Sequence, residues 1–479
     1  LVNIVVELSK YLMIALMAAY TFECFSVFAH RDIYRKKSIL FNQNKLMFLI
    51  QFIAYLVMYL KTLEIKLVFF YLAQVVLLVA TIALYTLIYP RVSRLIVNNM
   101  CMLLCIGLIM ITRLTYTKAT KQFIIIVVSM AISLVVPVVI RKLTFLERYG
   151  YFYAIVGMLA LALVAIIGKT SDGAKLGFSI AGFGIQPSEF VKILFVFFVA
   201  SSFKKSTAFK DIVKTTIFAA VHVLILVAST DLGAALIIFV VYLVMLYVAT
   251  RQPLYMLAGL AAGSGAAVVA YHLFSHVQTR VTVWRDPFAV YQSGGYQVAQ
   301  SLFAIATGSW FGMGLYQGNP TDIPVAEEDF IFSAISEEMG LIFALCLILV
   351  CVSCYIMFLN IAMQLRNRFY KLVALGLGTC YIFQVFLTIG GVTKFIPSTG
   401  VTLPLVSYGG SSVLSTLIMF GIIQGLYILR EDEEEIIEKR KEEELRGVAR
   451  RAPQTGQGTA QKRKKKATKF EEIEKQRIR

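Results

Sequence analysis

The sequence predicts an all-α protein that crosses a membrane many times. Three observations carry the prediction: 58% of the residues are hydrophobic against 15% charged, the apolar residues form long runs such as LIIFVVYLVMLYV and FALCLILVCVSCYIMFL, and Lys and Arg recur in every second connection. Ordinary soluble domains hold about 45–50% apolar and about 25% charged residues. A mean hydropathy of +0.76 belongs to the membrane class. About 20 apolar residues in a helix cross the ~30 Å of hydrocarbon. The backbone must satisfy itself there, which leaves helices or a closed barrel, and these runs lack the alternation of barrel strands.

Thirteen spans follow, at 3–29, 46–62, 66–89, 97–114, 122–140, 149–168, 186–203, 213–229, 231–249, 253–274, 330–358, 371–391 and 405–429. The first lacks a basic leader and a small-residue cleavage site, so it reads as a retained helix. The connections test the count. RDIYRKK (31–37), RVSR (91–94), RKLTFLER (141–148), KKSTAFK (204–210), RQ (251–252) and RNRFYK (366–371) all fall on one side. The positive-inside rule makes that side cytoplasmic, which puts the N-terminus and the long connection 275–329 outside and the C-terminus inside. The net charge of +18 is thereby explained by topology, and no nucleic-acid partner is expected.

All seven cysteines fall in or beside apolar spans, so no disulfide framework is expected; Cys351 and Cys354 have CxxC spacing but read as packing residues. His30, His222, His272 and His276 form no ligand pattern, so no protein metal site is assigned. From residue 430 the chain changes character: REDEEEIIEKRKEEELR is a mixed-charge helix former, APQTGQGTAQ a linker, and KRKKK a basic cluster. That tail is either a solubilising segment or, through KRKKK, a contact for anionic lipid or a cytoplasmic partner.

Four polar clusters stand at the mouths of apolar runs. PVAEEDFIF (324–332) carries Glu327, Glu328 and Asp329. If 329–340 is helical, Asp329, Ser333 and Glu337 share one stripe, with Glu337 about 12 Å below Asp329. Such a stripe must face a cavity, because an unpartnered carboxylate in lipid costs several kcal/mol; Glu327 and Glu328 are either part of the site or plain solvated acids. GFGIQPSEFVKILF places Glu189 and Lys192 three apart on one face after Pro187, as a packing ion pair or as cavity lining. STDLGAAL puts Asp231 at a helix start, where it suits a cap. FIPSTGVTLPLVSYGGSS, with Ser407 and Ser411 and preceded by Lys394, is irregular backbone of the kind that lines a wet cavity or is buried in protein. In the long connection, Arg280 and Arg285 are forks suited to phosphate or carboxylate, and 296–311 is apolar enough to dip into the interface. Together these describe a pocket for an amphiphile with a diphosphate-like head and a lipid tail.

The ordered motifs QPSEFVK, DLGAAL, DPF with GYQVAQS, EEDFIFSAISEEMG and LPLVSYGGSS resemble one family, the SEDS proteins of shape, elongation, division and sporulation, which include RodA, FtsW and SpoVE. The resemblance covers roughly 97–429 as a ten-span core, making 1–96 three extra transmembrane helices and 430–479 a charged cytoplasmic tail. It implies a peptidoglycan glycosyltransferase of the bacterial cell membrane that polymerises lipid II beside a class B penicillin-binding protein. It also implies that Asp329, immediately before Phe-Ile-Phe, is the family's essential aspartate. A carboxylate there can act as general base in an inverting transfer. Cations, or a bound Mg or Mn ion, would stabilise the departing diphosphate. Arg280 and Lys394 are expected in that role, Glu189 and Lys192 in the central cavity, and Arg285, Asp231, Ser407 and Ser411 as further substrate contacts. The chain departs from relatives at Gly173 to Leu176, where no Trp follows, at Glu327 and Glu328 in place of His-Thr, and at TDLG. A flippase for lipid-linked precursors and a purely structural scaffold are the competing readings; polar residues lining a membrane cavity would serve translocation too.

Overall fold

The computed structural model describes residues 2–30, 32–171, 174–180 and 183–450; Gly173 and the KRKKK cluster lie outside the described residues. The chain runs α1 (Val2–Ala29), α2 (Ile33–Thr62), α3 (Lys66–Ile88), α4 (Arg94–Leu114), α5 (Tyr116–Lys142) and α6 (Gly150–Ile167). Three short antiparallel strands follow, β1 (Lys169–Ser171), β2 (Ala174–Ile180) and β3 (Phe183–Ile185), which the sequence reading did not anticipate. Then come α7 (Pro187–Lys205), α8 (Phe209–Ala228), α9 (Leu232–Thr250), α10 (Pro253–Leu273), α11 (Ser275–Arg285), α12 (Tyr296–Gly308), α13 (Ile331–Gln364), α14 (Arg368–Val392) and α15 (Gly410–Arg450).

Twelve of the described helices are long and apolar enough to cross a membrane. The thirteenth expected span is α7, whose 19 residues include Glu189, Lys192, Lys204 and Lys205 and so fall short of that standard. Helix boundaries follow local chemistry. Asp32 accepts from the amides of Tyr34 and Arg35, so α2 starts thirteen residues earlier than its apolar run. Asn367 caps α14 through the amide of Phe369. Pro187 and Pro253 open α7 and α10, where a missing N–H costs nothing.

The described residues up to Arg430 form one compact unit, and those from Glu431 belong to a second. Within the first, α4 is buried from Leu95 to Thr112, whereas α10 has no buried residue and packs on α9 and α11. The leading helices cover α4: α1 packs on α2 and α13, and α2 and α3 pack on α4. Buried polar side chains join them. Tyr20 donates to Asn99 Oδ1 at 3.0 Å, Asn98 donates to Gln43 Oε1 at 3.0 Å, and Asn99 donates to Ser353 Oγ at 3.2 Å. In lipid, where apolar burial between helices gives little drive, such bonds and close packing hold helices together. At one end of the bundle Glu147 bonds Lys204 and Asn367, which brings three of the basic connections together.

One helix is broken. Gly340, inside α13, has φ 86° and ψ 163°, a region open essentially to glycine alone. The carbonyls this frees are taken up by a turn after α12: Met313 and Gly314 donate to Glu337 O and Glu338 O, both at 2.8 Å, while Leu341 donates to Ser309 O at 2.9 Å. The approach is too close for a side chain, since a Cβ on Gly340 would lie 2.4 Å from Gly312 N.

Candidate active site

At the end of the bundle opposite Glu147 and Lys204, the start of α7, the α8–α9 corner, α11, the segment before α13 and the stretch after α14 enclose a cavity of ≈ 350 Å³. Six of the nine residues singled out in the sequence line it: Asp329, Arg280, Glu189, Lys192, Asp231 and Lys394.

Three of the cavity acids are committed to nearby donors. Asp231 caps α9 through the amide of Ala234 at 3.1 Å, and its other oxygen accepts from Ser188 Oγ at 2.9 Å and Gln186 Nε2 at 3.4 Å. Asp231 is thus the expected cap, and it also lines the cavity. Glu189 pairs with Lys192 at 2.9 Å and accepts from Ser415 Oγ at 2.9 Å, and Lys192 donates to Gln384 Oε1 at 2.8 Å. This buried pair is neutral in sum, as a charge pair inside a bundle must be. Glu328 is held by Lys118 at 3.3 Å, with Glu327 on the same ammonium at 2.5 Å. Glu327 is not a plain solvated acid, since it is buried and its carbonyl accepts the amide of Tyr408 at 2.7 Å, whereas the Glu328 side chain is 43% exposed.

Asp329 is half-buried, two residues ahead of α13. The helix does not extend back to it, because Ser333 donates to Phe330 O in the first turn. The expected stripe is therefore corrected. Ser333 bonds Ser301 of α12 at 2.6 Å, and Glu337 accepts the amide of Asn319 at 2.7 Å, so both fasten the long connection and neither lines the cavity. Arg280 reaches in from α11, donating to Ser398 O at 3.2 Å. Burial pushes its pKa below the ordinary guanidinium value, and the carboxylates of Asp329 and then Asp231 oppose that shift. Lys394 stands at the rim, its carbonyl accepting from Trp284 Nε1 at 3.2 Å.

Three expected residues lie elsewhere. Arg285 is exposed at the last turn of α11. Ser407 closes a turn by accepting the amide of Leu403 at 2.9 Å, and Ser411 accepts the amide of Gln186 at 2.9 Å and donates to Gly184 O at 3.1 Å. Their hydroxyls serve the backbone, and only Gln186, beside Ser411, reaches the wall. The irregular segment flagged in the sequence lines the cavity through its first part, including Ser398, Thr399 and Gly400. Trp284 and Gln297 are wall residues that sequence reasoning missed.

Among the described residues, no group of three or more His, Cys, Asp or Glu is placed to hold a metal ion. With Asp231, Glu189 and Glu328 engaged as above, the wall does not fit a protein-held Mg or Mn site, which wants several oxygen ligands in near-octahedral array. What the arrangement offers is a half-buried carboxylate and a half-buried guanidinium close to Gly400, in a cleft lined by a further cation.

The family profile of the FtsW, RodA and SpoVE cell cycle proteins matches residues 93–431. The chain is 35% identical over 363 residues to peptidoglycan glycosyltransferase RodA of Mycobacterium tuberculosis (strain ATCC 25618 / H37Rv), covering 70% of this chain and 77% of that protein. It is 31% identical over 277 residues to stage V sporulation protein E of Bacillus subtilis (strain 168), covering 56% and 75%. In fold it is similar to a solved chain from work on the structural coordination of polymerization and crosslinking by a peptidoglycan synthase complex, with TM-score 0.60, 22% identity, and 71% and 98% of the two chains covered.

Proposed function

Since this chain belongs to the FtsW, RodA and SpoVE family and is a multi-pass membrane peptidoglycan glycosyltransferase, we propose that Asp329 is the general base of its transfer reaction. The acceptor's 4-hydroxyl attacks the anomeric carbon of a lipid II donor. The carboxylate takes the hydroxyl proton as the new glycosidic bond forms, and undecaprenyl diphosphate leaves from the opposite face with inversion. Arg280 and Lys394 receive the charge that develops on the diphosphate. Any divalent cation the reaction uses arrives with the diphosphate, outside a protein cage.

The observation that carries this reading is that Asp329 and Arg280 both line the cavity and come together at Gly400. Around them Glu328, Glu189 and Asp231 bond Lys118, Lys192, Ser188 and a helix amide and shape the cavity. Every lining residue comes from a helix end or connection on the side opposite the basic loops. The positive-inside rule therefore supports a cavity that opens outside the cell and a cytoplasmic C-terminus. A class B penicillin-binding protein is the proposed partner, by analogy with the polymerization and crosslinking of the similar synthase complex.

The test is strand formation from purified lipid II in detergent, with and without that partner. Asp329→Asn keeps the shape and removes the base. Loss of glycan strands with lipid II binding intact supports the assignment, and strand formation at the wild-type rate overturns it.

A further inference from the structure

The transfer step uses none of the three leading helices, yet α1 touches the turn that caps the break in α13. Lys10 is 8% exposed; its ammonium pairs with Glu7 at 2.6 Å and donates to the carbonyl of Gly312 at 3.2 Å. Beside it, the Tyr11 ring lies 5.6 Å from that of Phe311. One turn earlier, Val6 packs so near Gly314 that an added Cβ would sit 3.3 Å from Val6 Cγ1. A lysine buried at membrane depth persists only where it has partners, and here they are Glu7 and the turn.

The carbonyl of Gly312 and the amide of Met313 belong to one peptide group. Lys10 bonds its oxygen, and its N–H bonds Glu337 O at 2.8 Å. A cation on the oxygen polarises the whole unit and strengthens the bond on the far side. The next amide, Gly314, holds Glu338 O, and Tyr316 N donates to the Glu338 carboxylate at 3.0 Å. We propose that Lys10 is a positioning residue for the glycosyl transfer: through the Gly312–Met313 peptide group it fixes the first turns of α13, and with them the segment that carries Asp329. The proposal needs only the polymerase activity of the family, whichever residue is the base.

The test uses the full chain in lipid nanodiscs with purified lipid II, comparing Lys10→Met, Lys10→Arg and the lipid-facing control Leu12→Ala. Lys10→Met is expected to lower kcat at least about threefold with KM unchanged, as a small misplacement of the reacting groups does. Amide exchange should quicken in residues 309–319 and in 329–340, and nowhere else. Lys10→Arg should restore both, and Leu12→Ala should match wild type. If Lys10→Met does not accumulate, Tyr11→Leu, which removes the ring contact with Phe311, carries the same expectation. Wild-type kcat and exchange in either variant overturn the proposal. So does faster exchange throughout the chain, or failure of both variants to accumulate, since α1 would then act as general scaffold.

Discussion

Arg280 and Asp329 flank Gly400: a methyl group built on that glycine would lie 4.0 Å from Arg280 Nη2 and 4.0 Å from Asp329 Oδ2. Three separate stretches meet there, α11, the approach to α13 and the segment after α14. In the proposed reaction these two groups would be the base and the leaving-group cation, which must both reach one substrate. Gly400 itself has φ +69°, which suits glycine.

Arg280 is accordingly expected to act on rate. Arg280→Ala removes a preorganised cation and should lower kcat by about 10²-fold. Arg280→Lys keeps charge without the planar fork and should lose roughly tenfold. Polymerisation kinetics on lipid II decide it, and an Arg280→Ala enzyme at the wild-type rate would contradict the role.

Gly340→Ala forces a side chain into a glycine-only backbone region with a Cβ 2.4 Å from Gly312 N. Thermal unfolding should show a loss of at least about 3 kcal/mol. Gly265→Ala in α10 is the contrast: a Cβ there meets nothing within 4 Å, so stability should hold or rise by about 0.5–1 kcal/mol.

Arg113 of α4 pairs with the fully buried Glu338 at 2.8 Å and stacks 4.1 Å from the Tyr316 ring centroid. Arg113→Met alone strands that carboxylate and should destabilise by roughly 3–5 kcal/mol. Arg113→Met with Glu338→Met should recover most of the loss. A single variant as stable as wild type would show that the pair is not what holds α4 to α13.

Orientation is open to labelling, because all seven native cysteines are buried and give little background. Ser293→Cys in the long connection should react with an impermeant maleimide on intact cells. Lys210→Cys, in a basic connection, should react only after permeabilisation. The reverse pattern would invert the topology.

The helices and the charged half of the site were legible in the sequence for a common reason. Glu189, Lys192, Asp231, Arg280, Asp329 and Lys394 interrupt or border apolar runs, and a charge there needs a cavity or a partner. Trp284 and Gln297 gave no such signal, since neutral residues at a span's end are ordinary. Ser407 and Ser411 shared the right segment, but their hydroxyls are taken by backbone groups, a competition that composition does not reveal. The break in α13 was hidden too. SEEMGLIFAL reads as continuous helix, and what opens it at Gly340 is pairing with a turn some thirty residues earlier. The shared stripe of Asp329, Ser333 and Glu337 depended on a helix from 329, whereas α13 starts two residues later at Ile331.

The most direct test is the initial rate of lipid II polymerisation by Asp329→Ala, measured beside its thermal stability and lipid II binding. The account predicts a fall of at least about 10²-fold, the scale of a lost general base, with stability and binding unchanged. A variant that polymerises within a few-fold of wild type would contradict it.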